Sequence, residues 1–133
     1  MSRSHEELVA ETLAIAKDNS WPDLPIAAIV TNESGQTIAT AVNRVEKLKD
    51  PSAHAEMLAI RELTLFFERR SAKSLTLTVT LEPCPMCAWS IRLFGFGRVV
   101  FGAYNPQYGA AGSVIDLLRD ASFGPPLEVV GGI

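Results

Sequence analysis

Two cysteines, one histidine and one glutamate carry the chemistry available to this chain of 133 residues. Cys84 and Cys87 are its only cysteines and stand three apart, directly after Pro83, in Thr80-Leu-Glu-Pro-Cys-Pro-Met-Cys87. His54, one of two histidines, stands two before Glu56 in His54-Ala-Glu56, thirty residues upstream of the first cysteine. Two thiolates and an imidazole are three ligands of a tetrahedral zinc ion, and three protein ligands leave the fourth position for water, as in catalytic rather than closed structural sites. A site of that kind activates water. Two duller readings compete with it. A Cys-x-x-Cys pair beside a strand and a helix also suits thiol–disulfide exchange, and a closed structural site would need a fourth protein ligand. No such ligand is evident, since His5 falls in an exposed first helical turn where solvated surface explains it.

His-x-Glu followed by Pro-Cys-x-x-Cys is a known signature of zinc deaminases acting on nucleobases. On these residues the chain resembles the cytidine deaminase superfamily, and within it the bacterial tRNA adenosine deaminases and related purine and cytosine base deaminases. The resemblance runs from about Leu24 to Ile115. It is carried by Pro25-Ile-Ala-Ala, Asn43, Asp50-Pro-Ser-Ala-His-Ala-Glu56, Leu81-Glu-Pro-Cys-Pro-Met-Cys87, Arg98-Val-Val-Phe-Gly102 and Gly109-Ala-Ala-Gly-Ser113. It implies one zinc per chain held by His54, Cys84 and Cys87, and Glu56 as the proton shuttle that takes a proton from water, passes it to a ring nitrogen and protonates the departing ammonia. It also implies that Asn43 hydrogen-bonds the substrate ring or its sugar, and that the Ala55 backbone amide contacts the carbonyl being formed. Glu82 reads as structural, orienting the loop before the cysteines.

Several elements must position these residues. Ser4 and Glu7 form a capping box, and Leu8, Thr12 and Ile15 recur at helical spacing, so residues 4–18 form an amphipathic helix. Residues 25–31 are an apolar run of strand length, 32–36 a turn, and 37–42 the second strand of a hairpin. After a polar loop with Arg44, Lys47 and Lys49, Ser52 is placed to cap a helix whose inner face reads Met57, Ile60, Leu63 or Thr64, and Phe67. Arg69 and Arg70 read as a solvated helix end. Residues 75–81 alternate as a strand, 84–94 form a helix, 98–103 a strand, Ser113 with Asp116 a second capping box opening a short helix to Arg119, and 127–130 a last strand. His54 and the cysteines thus fall in the first turns of two helices, whose free amides favour thiolate or carboxylate nearby. Strands alternating with helices predict one domain over residues 1–133, with helices on both faces of a sheet. The resemblance specifies this as the three-layer α/β/α cytidine-deaminase-like fold with a five-stranded mixed sheet.

Composition bounds the partners. With 47% hydrophobic and 20% charged residues the chain is an ordinary globular protein. No apolar run is long enough to span a bilayer and no signal peptide opens the chain, which predicts a cytoplasmic protein with no membrane partner. A formal charge of −3 gives no broad cationic field for a polyanion. By the resemblance, tRNA-acting members continue into a C-terminal helix, whereas this chain stops at Ile133, and Trp89-Ser90 and Phe94-Gly95 stand where those members carry small residues and a Ser-Arg pair. Gly109-Ala-Ala-Gly-Ser113 is, in contrast, of the tRNA type. Charge and length favour a free nucleobase or nucleoside as substrate. The alternative is adenosine-to-inosine deamination in a tRNA anticodon, and the reading from another class is a non-catalytic zinc- or nucleotide-binding module. The family resemblance also implies a homodimer.

Overall fold

The computed structural model of the chain describes residues 3–19 and 21–133, apart from the side chains of Asn19, Arg69 and Arg70, so the expectation for Arg69-Arg70 lies outside it. The elements are α1 (His5–Asn19), β1 (Ala27–Thr31), β2 (Thr37–Val42), α2 (Val45–Leu48), α3 (Ala55–Leu63), β3 (Thr76–Leu81), α4 (Pro85–Phe94), β4 (Arg98–Ala103) and β5 (Glu128–Val130), with 3₁₀ turns at Arg69–Ser74 and Ala121–Phe123. The strands make one five-stranded sheet in the order β2-β1-β3-β4-β5. β1 runs antiparallel to both β2 and β3, while β3, β4 and β5 are mutually parallel. The mixed sheet of the sequence reading is therefore present, with helices on both faces.

Alternation along the central strands divides the core into two layers. Ala28 and Val30 of β1, Leu77 and Val79 of β3, and Val99 and Phe101 of β4 pack with Ala55, Ala59 and Leu63 of α3 and Ala88, Ile91 and Phe94 of α4. Their neighbours Ile29 and Val100 face the other way, onto Leu8 and Val9 of α1. Small side chains on the buried stripe of α3 let that helix lie close to the sheet. This stripe differs from the predicted one: Ala55, Glu56, Ala59 and Leu63 are buried, while Thr64 is exposed and Phe67 lies beyond the helix end.

The capping box at the start of α1 forms as read, with Glu7 N donating to Ser4 Oγ at 3.1 Å and Ser4 N to Glu7 Oε1 at 3.1 Å. Two other expected caps do not form. Ser52 donates its amide (2.9 Å) and its hydroxyl (2.7 Å) to Asp50 Oδ1, closing a side-chain turn, and α3 begins only at Ala55 with His54 as its N-cap. Ser113 opens no helix. Its hydroxyl and its amide both donate to Glu82, and residues 110–119 form a turn closed by a bridge between Ala111 and Asp116. The polar loop after β2 is more ordered than expected, since it contains α2.

Candidate metal centre

α3 and α4 each begin with a metal-donor residue in extended conformation. His54 (φ −72°, ψ 152°) and Cys84 (φ −75°, ψ 172°) are the N-caps, and neither uses its side chain to cap its own helix. Their carbonyls accept the first helical bonds, from Leu58 N at 3.0 Å and Ala88 N at 2.8 Å, and Pro85 suits the first helical position because that residue's N–H would have no helical partner. The side chains are left to converge. His54 Nδ1 lies 3.5 Å from Cys84 Sγ and 3.4 Å from Cys87 Sγ, and all three donor atoms lie within 4.8 Å of one another. A tetrahedral zinc with Zn–S near 2.3 Å and Zn–N near 2.05 Å requires an N···S edge of about 3.5 Å. The donor set therefore fits zinc in type and in spacing, and among the described residues it is the one cluster of its kind.

The protonation of these groups shows what a cation would have to displace. A hydrogen bond from Cys87, aided by His54, pulls the Cys84 thiol down to about 4. The same contact with Cys84, together with burial, pushes Cys87 far up, so the pair shares one thiolate and one thiol. The Cys84 thiolate also raises the His54 imidazole above its usual range. Glu56 is 4% exposed, and burial pushes its carboxyl up to about 7, with the Cys84 charge adding to the rise and the Glu56 backbone amide and the His54 charge opposing it. A carboxyl near neutrality can both take and give a proton.

A cavity of about 290 Å³ opens over these residues. His54, Ala55, Glu56 and Cys84 line it together with Asn43, so the residues singled out in the sequence face one space, while Cys87 sits behind them, fully buried. Asn43 is 7% exposed, its backbone tied to Ile26 O at 2.9 Å and its Oδ1 accepting from Val45 N at 3.4 Å. The sequence reading did not bring Asp23, Leu24, Glu46 or Asn105 to the site; they form the wall together with Ile26, Val45, Leu81, Glu82 and Tyr108. Asp23 and Asn105 sit in loops beside strands, and only the sheet order brings them to the same end as the metal donors.

Glu82 is structural, as expected, but it orients a different segment. It is 1% exposed and accepts from Asn105 N (3.0 Å), Ala111 N (2.9 Å), Ser113 N (3.0 Å) and Ser113 Oγ, and so pins the loop after β4 rather than the loop before the cysteines. Burial raises its carboxyl, and these hydrogen bonds outweigh burial to leave it below the usual carboxylate range. Gly109 is required there, because a Cβ would stand 2.4 Å from Glu82 Cδ and 2.5 Å from Asn105 O.

Comparison with known proteins decides the family. The sequence profile of the cytidine and deoxycytidylate deaminase zinc-binding region matches residues 2–103. This chain belongs to that family. A tRNA-specific adenosine deaminase of Bacillus subtilis is 40% identical over 111 residues, which are 84% of this chain and 68% of that protein. This chain spans about two thirds of the length of that protein and of a tRNA-specific adenosine deaminase of Aquifex aeolicus. A structure described under A-to-I editing by tRNA:A34 deaminases at the wobble position superposes with a TM-score of 0.84 at 32% identity, covering 96% of this chain and 98% of that one. A guanine deaminase from Bacillus subtilis superposes with a TM-score of 0.68 at 28% identity, covering 86% of this chain and 72% of that one. The fold is thus that of the zinc-dependent deaminases, and the preference for a free base drawn from charge and chain length is less well supported than its tRNA alternative.

Proposed function

We propose that this chain is a zinc-dependent hydrolase that converts an adenosine of tRNA to inosine, water replacing the exocyclic amino group and ammonia leaving. The observation that carries the proposal is the single cavity in which metal donors, a buried carboxyl and a buried carboxamide face one another. Similarity to tRNA adenosine deaminases supports the substrate. In this reading His54, Cys84 and Cys87 hold zinc, whose Lewis acidity would lower the pKa of a water from 15.7 toward 7. Glu56 takes one proton of the attacking water at its carboxylate and gives it to N1 of the ring, then takes the second from the hydroxyl added at C6 and gives it to the departing amino nitrogen, so that the C6–N bond breaks as the carbonyl forms. Asn43 fixes the ring or its sugar with its carboxamide, and the amide of Ala55, at the amino end of α3, meets the oxygen that becomes the C6 carbonyl. The two free thiols suit a reducing compartment, so the cytoplasm is part of the proposal, as is the homodimer, which light scattering decides.

Ammonia release from unmodified tRNA by the zinc-loaded protein tests the reading. Glu56→Gln is expected to keep fold and zinc and to lower kcat by about 10² to 10⁴. Substantial turnover by that variant would remove Glu56 from the role assigned to it. The second reading, a free purine base as substrate, is favoured by the likeness to guanine deaminase. Release from a free base but not from tRNA would replace the first reading with this one. Zinc binding with no release from any substrate would leave a non-catalytic module.

A further inference from the structure

Asp23 is a carboxylate that the mechanism above does not use, although it lies in the wall of the active cavity. It is 6% exposed, and both of its oxygens are committed: Glu46 N donates to Oδ1 at 2.6 Å and Lys47 N to Oδ2 at 3.3 Å. These amides belong to α2, more than twenty residues along the chain, so Asp23 straps the loop before β1 onto the segment that follows Asn43. The preceding amide, Val45 N, donates to Asn43 Oδ1 at the longer distance of 3.4 Å. Three consecutive amides are thus shared between two side chains. Asp23 holds Glu46 N closely and Lys47 N at 3.3 Å, and Asn43 holds Val45 N at 3.4 Å. The Asn43 backbone is fixed independently, by Asn43 N to Ile26 O at 2.9 Å and by the next amide, Arg44 N, to Ala53 O at 2.9 Å. What remains adjustable at Asn43 is its carboxamide.

We propose that Asp23 is the positioning residue for Asn43: by satisfying the amides of Glu46 and Lys47 it keeps Asn43 Oδ1 on Val45 N alone and stops the carboxamide from being drawn further along α2, so that its NH₂ stays directed to substrate. The physical reason is competition for donors. Without the carboxylate, two part-buried amide contacts at the start of α2 lose their acceptor, and those amides turn to the nearest acceptor or to water. Asn43 Oδ1 is the acceptor already aimed at that turn. Turning toward α2 relieves the amides and takes the carboxamide out of the cavity. Zinc is untouched by this exchange, since none of the three donor residues contacts Asp23 through these bonds. The inference rests on the reading of Asn43 as a substrate contact, and its test separates the two.

Asp23→Ala and Asp23→Asn are compared with the parent, zinc-loaded and with tRNA as substrate. The Asn variant keeps the shape but presents one N–H to an N–H, so it reports even if the Ala variant folds poorly. The expected result is full zinc content, a KM raised about tenfold and a kcat within about threefold of the parent, the pattern of lost ligand binding without loss of chemistry. Asp23→Ala placed on Asn43→Ala should raise KM no further than Asn43→Ala alone, because the two residues act on one contact. An additive double variant, an unchanged KM, or loss of zinc would overturn the proposal and leave Asp23 as framework. NMR supplies a readout independent of turnover. The Glu46 and Lys47 amides should exchange about tenfold faster or more in Asp23→Asn, with the Asn43 side-chain NH₂ resonances displaced. If the parent turns over no tRNA, the proposed substrate fails, yet displaced Asn43 resonances would still uphold the role of Asp23 and unchanged ones would end it.

Discussion

His54 offers Nδ1 to both sulfurs, and Nδ1 is the ring nitrogen nearer the backbone. An ion held there sits close to the first turns of α3 and α4, where unpaired amides and the partial positive end of each helix stabilise the thiolates. Substitution at any donor therefore removes a ligand that neighbouring side chains have no means to replace: among the described residues no further histidine, cysteine or carboxylate joins the cluster. Cys84→Ser, Cys87→Ser and His54→Ala are each expected to lower the zinc content of dialysed protein from near one per chain to below roughly a tenth, read by elemental analysis. Protons compete for the same atoms. Cys87 and His54 both hold protons more tightly than usual, so zinc binding at neutral pH should release about one to two protons, and affinity should fall as the pH falls. Titration calorimetry in two buffers of different ionisation enthalpy measures that number. A release of none would mean that the sulfur pair does not bind as dithiolate.

Among the elements, the loop after β4 depends most heavily on a single side chain. Glu82, at the end of β3, supplies acceptors to Asn105, Ala111 and Ser113, and so sets the wall on which Asn105 and Tyr108 stand. Glu82→Ala should destabilise the protein by about 3 kcal/mol, the order expected when several buried amides lose a charged acceptor, measured by urea denaturation. It should also raise the exchange rate of the 105–113 amides. A cost below about 0.5 kcal/mol would assign the loop's order to other contacts. The same carboxylate explains where local sequence patterns failed. Ser4 with Glu7 and Ser113 with Asp116 have the same spacing, yet only the first opens a helix, because Ser113 spends its hydroxyl and amide on Glu82, thirty-one residues away. Ser52 is diverted similarly by Asp50. The strands of the core were legible because their periodicity is itself the signature of burial, and the metal donors because residue type and spacing limit what they can do. The cavity wall was not legible. Asp23 and Asn105 carry no motif, and only the register of β1, β3 and β4 brings their loops together.

Across the whole molecule, charge poses the remaining question, since a chain of net charge −3 is proposed to act on a polyanion. Phosphate affinity depends on local rather than total charge. Arg44, Lys47 and Lys49 are exposed on and around α2, the element that also carries the Asn43 wall, and Arg44 and Lys47 line a second groove of about 600 Å³ beside the cavity. These three cations interleave in sequence with Asn43, Val45 and Glu46, which line the cavity. If each meets one phosphate of an unpaired strand, log(kcat/KM) for tRNA should fall against log[salt] with a slope of roughly −2, a loss of about fifteenfold between 50 and 200 mM. For a free nucleoside, which brings no phosphate, the slope should be near zero. Arg44→Glu with Lys49→Glu should flatten the tRNA slope and raise KM for tRNA without lowering zinc content. A tRNA slope near zero in the parent would mean that these cations meet no phosphate. A slope steeper than about −4 would place further cations in the footprint, on a face that α2 does not reach.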